Sequence, residues 1–357
     1  MTIKITRNPN PRPVPTGDYG FGSTFTPHMF VMEYKDGAWG APEIKPYGPF
    51  TLDPAAKVLH YGQEIFEGMK AYKNPEDGTV HMFRPDKNIR RFTISSERMC
   101  MPTVDEKLFM EALDTLIDLD RDWVPCSPDA LYIRPTMIST QVGLGVKASN
   151  DYIFYIIIGP VGSYFAGGIK PLRLRAEERY VRSAPGGVGF AKTGGNYAAA
   201  LLPIKQAQDD GFDQIIWLDA KEKKTVEEMG AMNIAFVYED RIITAPTGDT
   251  ILNGVTRDSV GVLLRDMDYN WQEVHPPIAE ICEDARSGKL KEVFACGTAA
   301  VVTPVGVIHY QGADHQIADG AEGPITRKLR ETLTGIHTGC SELHPEWIHK
   351  VPARENT

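Results

Sequence analysis

Gly186-Gly187-Val188-Gly189-Phe190-Ala191-Lys192-Thr193-Gly194-Gly195-Asn196-Tyr197 is the stretch on which the reading of this chain turns. Five glycines surround one lysine at a predicted strand-to-helix junction, with the helix running from Asn196 to Gln208. Glycine lets a backbone bend sharply and lets a bulky ligand come close. A lysine so placed is a nucleophilic amine if burial or a cofactor lowers its pKa. Taken alone, the stretch reads more simply as a surface turn with a solvated lysine.

Two later stretches change its weight. Thr225-Val226-Glu227-Glu228-Met229-Gly230-Ala231-Met232-Asn233 puts a carboxylate just ahead of a glycine and a buried strand. A pyridinium nitrogen needs such a partner to stay protonated and draw electrons. The plainer reading is a solvated acidic pair after Lys223-Lys224. Leu252-Asn253-Gly254-Val255-Thr256-Arg257-Asp258-Ser259 is a glycine turn opening into a helix over Thr256 to Met267, with Thr256 as its expected N-cap. Free N–H groups and the helix dipole there suit a phosphate. Gly297-Thr298-Ala299 follows as a late turn.

Around these lies an alternation of short strands and helices. Residues 1–50 read as an extended arm with an opening strand. Asp86 to Met99 and the amphipathic Asp105 to Leu119 read as helices. Leu131 to Ile138 and Tyr152 to Ile158 read as strands, the second apolar throughout and hence expected to be buried on both faces. The glycine-rich Gly159 to Gly168 is the expected linker. Strands are expected at Leu172 to Ala176, Gln214 to Leu218 and Glu292 to Cys296, a hairpin over Met232 to Thr244, and a helix over Ile278 to Ser287. The pattern predicts two domains, 1–160 and 172–357, joined by 161–171, with a cleft between them.

Bulk properties narrow the class. A chain of 357 residues exceeds one ordinary core. With 42% apolar and 24% charged residues the composition is that of a soluble globular protein. A net charge of -9 argues against a nucleic-acid partner. The longest apolar run, Tyr152 to Val161, is about half of the ~20 residues a membrane span needs. Met1-Thr2-Ile3-Lys4 lacks a secretory apolar stretch, and five scattered cysteines make no disulfide framework, so a cytoplasmic address is expected. No HExxH, GxGxxG or P-loop spacing occurs, and no metal is expected.

Lysine, carboxylate, phosphate turn and late Gly-Thr-Ala turn follow one another as in pyridoxal-phosphate enzymes of fold type IV. From about Phe25 to about Trp347 the chain resembles the branched-chain amino-acid aminotransferases. The resemblance includes Leu59-His60-Tyr61-Gly62-Gln63-Glu64-Ile65-Phe66-Glu67-Gly68-Met69-Lys70-Ala71-Tyr72, then Phe83-Arg84-Pro85 with Asn88 and Arg91, then Leu131-Tyr132-Ile133-Arg134-Pro135. It implies an α/β, two-domain fold: a small α/β lobe, a larger lobe with a mixed sheet or pseudo-barrel, and the active site between them. It implies pyridoxal 5'-phosphate as cofactor, amino acids and 2-oxo acids as partners, and a homodimer. The implied reaction passes the amino group of leucine, isoleucine or valine to 2-oxoglutarate in two half-reactions.

The resemblance also implies roles. Lys192 matches the lysine that holds the cofactor covalently, Glu228 the acid on the pyridine nitrogen, and Tyr197 the donor to the phenolic oxygen. Arg91 matches the phosphate-binding arginine, although the adjacent Arg90 leaves the register open by one. Gly254, Val255 and Thr256 belong to the phosphate turn. Thr298 and Ala299 resemble the turn that receives cofactor and substrate α-carboxylate. Tyr61, Phe66, Tyr132 and Tyr164 resemble the side-chain pocket, and Arg134 the cation for a distal carboxylate. Phe66 and Tyr61 are equally readable as core aromatics, and Arg134 as half of an ion pair. Two fold relatives, the D-amino-acid aminotransferases and aminodeoxychorismate lyases, usually have shorter chains; a phosphate-ligand sensor has no need of Lys192. Where mammalian relatives carry a CxxC after the Gly-Thr-Ala turn, this chain reads Ala300-Val301-Val302-Thr303.

Overall fold

Two ten-residue strands, Ala130–Ser139 and Tyr152–Val161, alternate between core and lighter cover, and each pairs with the other antiparallel along its whole length. They centre the first of two units in the computed structural model, which describes residues 2–17, 19–162 and 170–353. The first unit is Met1–Tyr164, Ala191–Gly194 and Gly335–Thr357; the second is Phe165–Phe190 and Gly195–Thr334.

The first unit's ten-stranded sheet runs Lys4–Ile5, Glu43–Pro46, His28–Lys35, Tyr152–Val161, Ala130–Ser139, Met69–Lys73, Val80–Phe83, Ile348–Lys350. Ala38–Trp39 pairs with His28–Lys35, and Glu64–Phe66 with Ala130–Ser139. The core includes residues of helices Pro85–Arg98 and Glu106–Leu119, both of them expected. Asp105 caps the second by accepting the N–H of Leu108 at 2.9 Å. Phe109 and Phe92 meet Phe154 edge-on or tilted at 4.8 and 5.4 Å. Such pairs add ~0.5–1.5 kcal/mol each beyond the area they bury.

The apolar run at Tyr152 departs from expectation. Tyr152, Phe154, Ile156 and Ile158 are buried, while Ile153, Tyr155 and Ile157 are only half-buried. The buried set packs in the helix-bearing core; the other set lies on the opposite side of the pleat. Gly159 and Pro160 belong to this strand and not to a linker. A Cβ on Gly159 would fall 2.0 Å from the Thr24 carbonyl, so glycine serves a close backbone crossing. Most of the expected linker, Ser163 to Ile169, lies outside the described residues.

The chain's end also departs from the expected division at 172–357. Ile348–Lys350 pairs antiparallel with Val80–Phe83, and Arg121 donates to the carbonyls of Val351 and Pro352 at 3.1 and 3.0 Å. Residues 335–353 therefore pack with the first unit.

The second unit's nine-stranded mixed sheet runs Val226–Met229, Gln214–Leu218, Leu172–Glu177, Val301–Tyr310, Glu292–Gly297, Asn233–Val237, Ile242–Thr244, Trp271–Glu273, with Ala313–Gln316 on Val301–Tyr310. The expected hairpin pairs Ala235 with Thr244 and Val237 with Ile242. Helix Ile278–Ser287 buries Ile278, Ile281 and Ala285 in a core with Leu174, Phe236 and Val293.

Local chemistry explains the remaining differences. The helix expected over Asn196 to Gln208 is two, Gly194–Ala198 and Leu201–Asp209. Pro203 has no N–H for the Ala199 carbonyl, and its ring crowds that oxygen. The helix expected from Thr256 is Val255–Asp266 with Gly254 as N-cap. Val301–Tyr310 is a strand despite Pro304 and Gly306, residues that argue against a strand interior. Helix Pro324–His337 starts under Glu292, whose carboxylate accepts the N–H groups of Ile325 and Thr326 at 3.0 and 2.8 Å. A cap from 34 residues away leaves no local signature.

Candidate active site

Lys192 sits on an irregular stretch, with no strand directly before it, two residues ahead of the helix Gly194–Ala198. Its backbone is held on both sides: its N–H donates to Ser95 Oγ at 2.9 Å, and its carbonyl accepts the Phe66 N–H at 3.0 Å. The half-buried side chain brings Nζ to 4.9 Å from the centre of the Phe66 ring. The glycines around it are tightly used. A Cβ on Gly189 would meet the Asp249 carbonyl at 2.6 Å, and one on Gly194 would strike the Glu64 carboxylate.

Next to Phe66, Glu67 is fully buried and takes two parallel bonds from Arg91, Nε to Oε1 at 2.7 Å and Nη2 to Oε2 at 2.9 Å. Asn88 Nδ2 and the Gly68 N–H complete its shell at 2.8 and 3.1 Å. Burial pulls the Glu67 carboxyl up, but Arg91, Lys192 and Asn88 together hold it below its ordinary value. Arg91 thus has a carboxylate partner that the sequence did not reveal.

Phe66, Tyr132 and Arg134 come together on one half-buried face of the first unit's sheet. The Arg134 guanidinium lies 4.6 Å from the Phe66 ring centre and donates to Tyr132 Oη at 2.9 Å. Its Nε is buried and has no hydrogen-bond partner among the described residues. Tyr61, at the end of the short helix Val58–Tyr61, is 41% exposed and donates its hydroxyl to the Leu144 carbonyl. In this unit it is a surface residue, not a core aromatic. Tyr164 lies outside the described residues.

In the second unit Glu228 stands ahead of Gly230 and the buried strand Asn233–Val237, as expected, and itself lies within a short strand, Val226–Met229. It is 2% exposed, with Arg182 Nε at 2.8 Å from Oε2 and the Leu252 N–H at 2.7 Å from Oε1. Asn233 Nδ2 reaches Oε1 at 3.4 Å and the Leu252 carbonyl at 3.1 Å. A guanidinium and an amide on a buried carboxylate favour its ionised form. Glu227, its neighbour, has a buried Oε2 without a partner among the described residues, and burial raises its carboxyl.

From Leu252 the chain passes to Gly254, where a Cβ would collide with Asn233 Oδ1 at 2.1 Å. The helix Val255–Asp266 that starts there has no side-chain cap, yet Val255 and Thr256 are buried. A buried helix start without a cap suits an anion on its first amides. Thr298 and Ala299 form the tight turn between Glu292–Gly297 and Val301–Tyr310, half-buried. Tyr197 lies half-buried on the helix Gly194–Ala198. Taken unit by unit, the donors suit the parts of a phosphorylated pyridine: in the second unit an uncapped helix start for the phosphate and an ion-paired acid for a ring nitrogen, in the first a lysine for an aldehyde. Among the described residues no cluster of three or more His, Cys, Asp or Glu could hold a metal.

Sequence reasoning missed Arg182, Asn233, Ser95 and Glu67. Arg182 and Ser95 carry no local signal; Glu67 and Asn233 stand inside quoted motifs, where their fixed place beside a site residue was available.

The family model Amino-transferase class IV matches residues 64–308. Branched-chain-amino-acid transaminase 1 of Bacillus subtilis (strain 168) is 48% identical over 353 residues, 98% of each chain. A Probable branched-chain-amino-acid aminotransferase of Streptomyces coelicolor is 47% identical, covering 93% of this chain and 92% of that one. Among solved structures, the T.th. branched-chain amino acid aminotransferase complexed with N-(5'-phosphopyridoxyl)-L-glutamate matches with a TM-score of 0.74 at 27% identity, over 90% of this chain and 98% of that one.

Proposed function

The chain belongs to the class IV amino-transferases, and within them to the branched-chain amino-acid aminotransferases; from that membership we propose that it moves the amino group of leucine, isoleucine and valine to 2-oxoglutarate, using pyridoxal 5'-phosphate. The fold is the fold type IV arrangement, and the two half-reactions predict ping-pong kinetics. When bound, the cofactor supplies an aldehyde carbon for the amino group and a ring that takes up the electron pair of the substrate α-carbon.

The chain's own residues do the rest. Lys192 anchors the cofactor and, once released, moves the proton of the substrate α-carbon. Glu228, itself held by Arg182 and the Leu252 amide, keeps the ring nitrogen protonated. Gly254, Val255, Thr256 and Arg91 take the phosphate, and Tyr197 donates to the phenolic oxygen. The amides of Thr298 and Ala299 receive the α-carboxylate. Phe66, Tyr132, Tyr61 and Tyr164 surround the side chain, while Arg134 meets the distal carboxylate of glutamate, for which a planar guanidinium is suited. The protein works as a cytoplasmic homodimer; no helix among the described residues is long and apolar enough to cross a membrane.

The observation that carries the catalytic reading is the double tether of Lys192, which fixes the backbone of a half-buried amine. Borohydride reduction of the holoenzyme, followed by peptide mapping, is the test. A phosphopyridoxyl adduct on Lys192 is expected, and Lys192→Ala should lose turnover while still binding the cofactor noncovalently. An adduct on another lysine ends the assignment.

A further inference from the structure

Glu64 has no place in the scheme above, yet it stands beside three of its members. The pairing of Glu64 with Ile138 and of Phe66 with Thr136 puts Glu64, Phe66 and Arg134 on the same side of the sheet. That side is the lightly covered one, where Ile153, Tyr155 and Ile157 are half-buried. Glu64 is thus an acid on a face that also carries the Arg134 guanidinium, the Thr136 hydroxyl, aromatic and aliphatic groups and, beside Tyr132, Lys70. Its carboxylate accepts the Gly194 N–H and the Thr193 hydroxyl, two residues' reach from Lys192. Burial pushes the Glu64 carboxyl up, while the Gly194 amide, Arg134 and Thr193 pull it down. Burial, and to a lesser extent the charge of Glu64, raises the phenol of Tyr155 across the same face. Among the described residues Arg134 is incompletely satisfied: one bond to Tyr132, ring faces on Phe66 and Tyr132, and a buried Nε with no partner.

We propose that Glu64 determines how the pocket divides its preference between acidic and apolar side chains, by serving as the resident counter-charge of Arg134. This rests on reading Arg134 as the cation for a distal carboxylate. With a branched apolar side chain bound, Glu64 offsets the guanidinium, so the hydrocarbon does not lie against a bare charge. With glutamate or 2-oxoglutarate bound, the ligand's distal carboxylate competes with Glu64 and is repelled by it. One pocket then accepts both classes because neither is bound at its tightest.

Glu64→Gln keeps an oxygen for the Gly194 amide and removes the charge. In the holoenzyme, calorimetric binding of glutarate and of 4-methylpentanoate gives the ratio of the two affinities without turnover. The variant should shift that ratio toward glutarate by about tenfold, a modest like-charge term for a half-exposed site. Glu64→Asp, which keeps the charge, should stay near the wild-type ratio. Ile138→Asp adds a second carboxylate opposite Glu64 and should shift the ratio the other way, an arm that stands even if Glu64→Gln folds poorly. Arg134→Met separates the two readings. If it weakens glutarate alone while Glu64→Gln leaves the ratio within twofold of wild type, the role of Glu64 is refuted. If Arg134→Met weakens both ligands equally, the reading of Arg134 is what fails.

Discussion

Replacing Glu67 with glutamine tests the buried pair that it forms with Arg91, the candidate phosphate arginine. The two side chains are 0% and 8% exposed, with both bonds under 3 Å. Glutamine keeps the shape and one acceptor but leaves the Arg91 guanidinium without its counter-charge. Removing one member of a buried pair costs about 3–5 kcal/mol, because the other charge stays desolvated. For a cooperative unit of this size each kcal/mol moves Tm by roughly 2–4 °C, so the loss should be about 6–20 °C. Thermal unfolding followed by circular dichroism, with Arg91→Met and the double variant, closes a mutant cycle. The double variant should lose far less than the sum of the singles. The pH dependence has a fixed sign. The Glu67 carboxyl is held below its ordinary 4.5, so its contribution is complete above about 4.5 and disappears as pH falls through the lower folded value. If Arg91 holds the cofactor's phosphate, added cofactor should restore part of the loss in Glu67→Gln and little in Arg91→Met. A Glu67→Gln variant within about 1 kcal/mol of wild type, or a cycle that is additive, would refute the argument.

Glu228→Gln should slow the single-turnover half-reaction with leucine by one to two decades, since hydrogen bonds to a charged group contribute ~1.5–3 kcal/mol; a silent Glu228→Gln with a damaged Glu227→Gln would exchange the two roles. Asp114 accepts from His349 at 2.8 Å and raises its imidazole above the ordinary 6.5. That tie is complete below about 6.5 and lost as pH rises through the raised value, so hydrogen exchange of Ile348–Lys350, corrected for intrinsic rate, should quicken above neutrality in wild type and show no such step in His349→Gln. Cys296 is 2% exposed and burial pushes its thiol up to about 12. Mild peroxide should therefore leave activity intact, and an inactivation reversed by dithiothreitol would show a reactive thiolate there.

Much of the site was legible because its constraints are steric and local. Gly189, Gly194 and Gly254 each stand where a Cβ would collide with a neighbour, and a glycine imposed by close approach is visible in one dimension. Helix Glu106–Leu119 was equally legible, since period and cap lie within one stretch. What the sequence hid at the candidate site was partners. Nothing near Ser95 or Arg182 says that one holds the Lys192 amide and the other the Glu228 carboxylate. The strand Val301–Tyr310 was obscured by Pro304 and Gly306, and the C-terminal strand by its pairing with residues more than two hundred positions earlier. The face of Tyr152–Val161 was misjudged because composition reports what a residue tolerates, whereas cover depends on which helices pack where.

The pattern in those hidden partners has a physical consequence. Three charged members of the candidate site are held by groups of their own unit: Arg91 by Glu67, Glu228 by Arg182 and the Leu252 amide, Arg134 by Tyr132 and the field of Glu64. A charge oriented by its own unit needs no ligand to fix its rotamer, so less ordering entropy is lost when an anion or a ring nitrogen arrives. The holding groups differ in kind, and that difference separates their roles. Glu67 and Arg182 are almost fully buried and paired, which suits fixed parts of a framework. Arg134 and Glu64 are only half-buried, and the guanidinium keeps an unpartnered Nε. Water and incoming side chains can alter that second pair's environment, but not the first's. On the proposed reading of Arg134, adaptability to two substrate classes would therefore belong to the sheet face around it, and constancy to the Glu67–Arg91 and Arg182–Glu228 pairs.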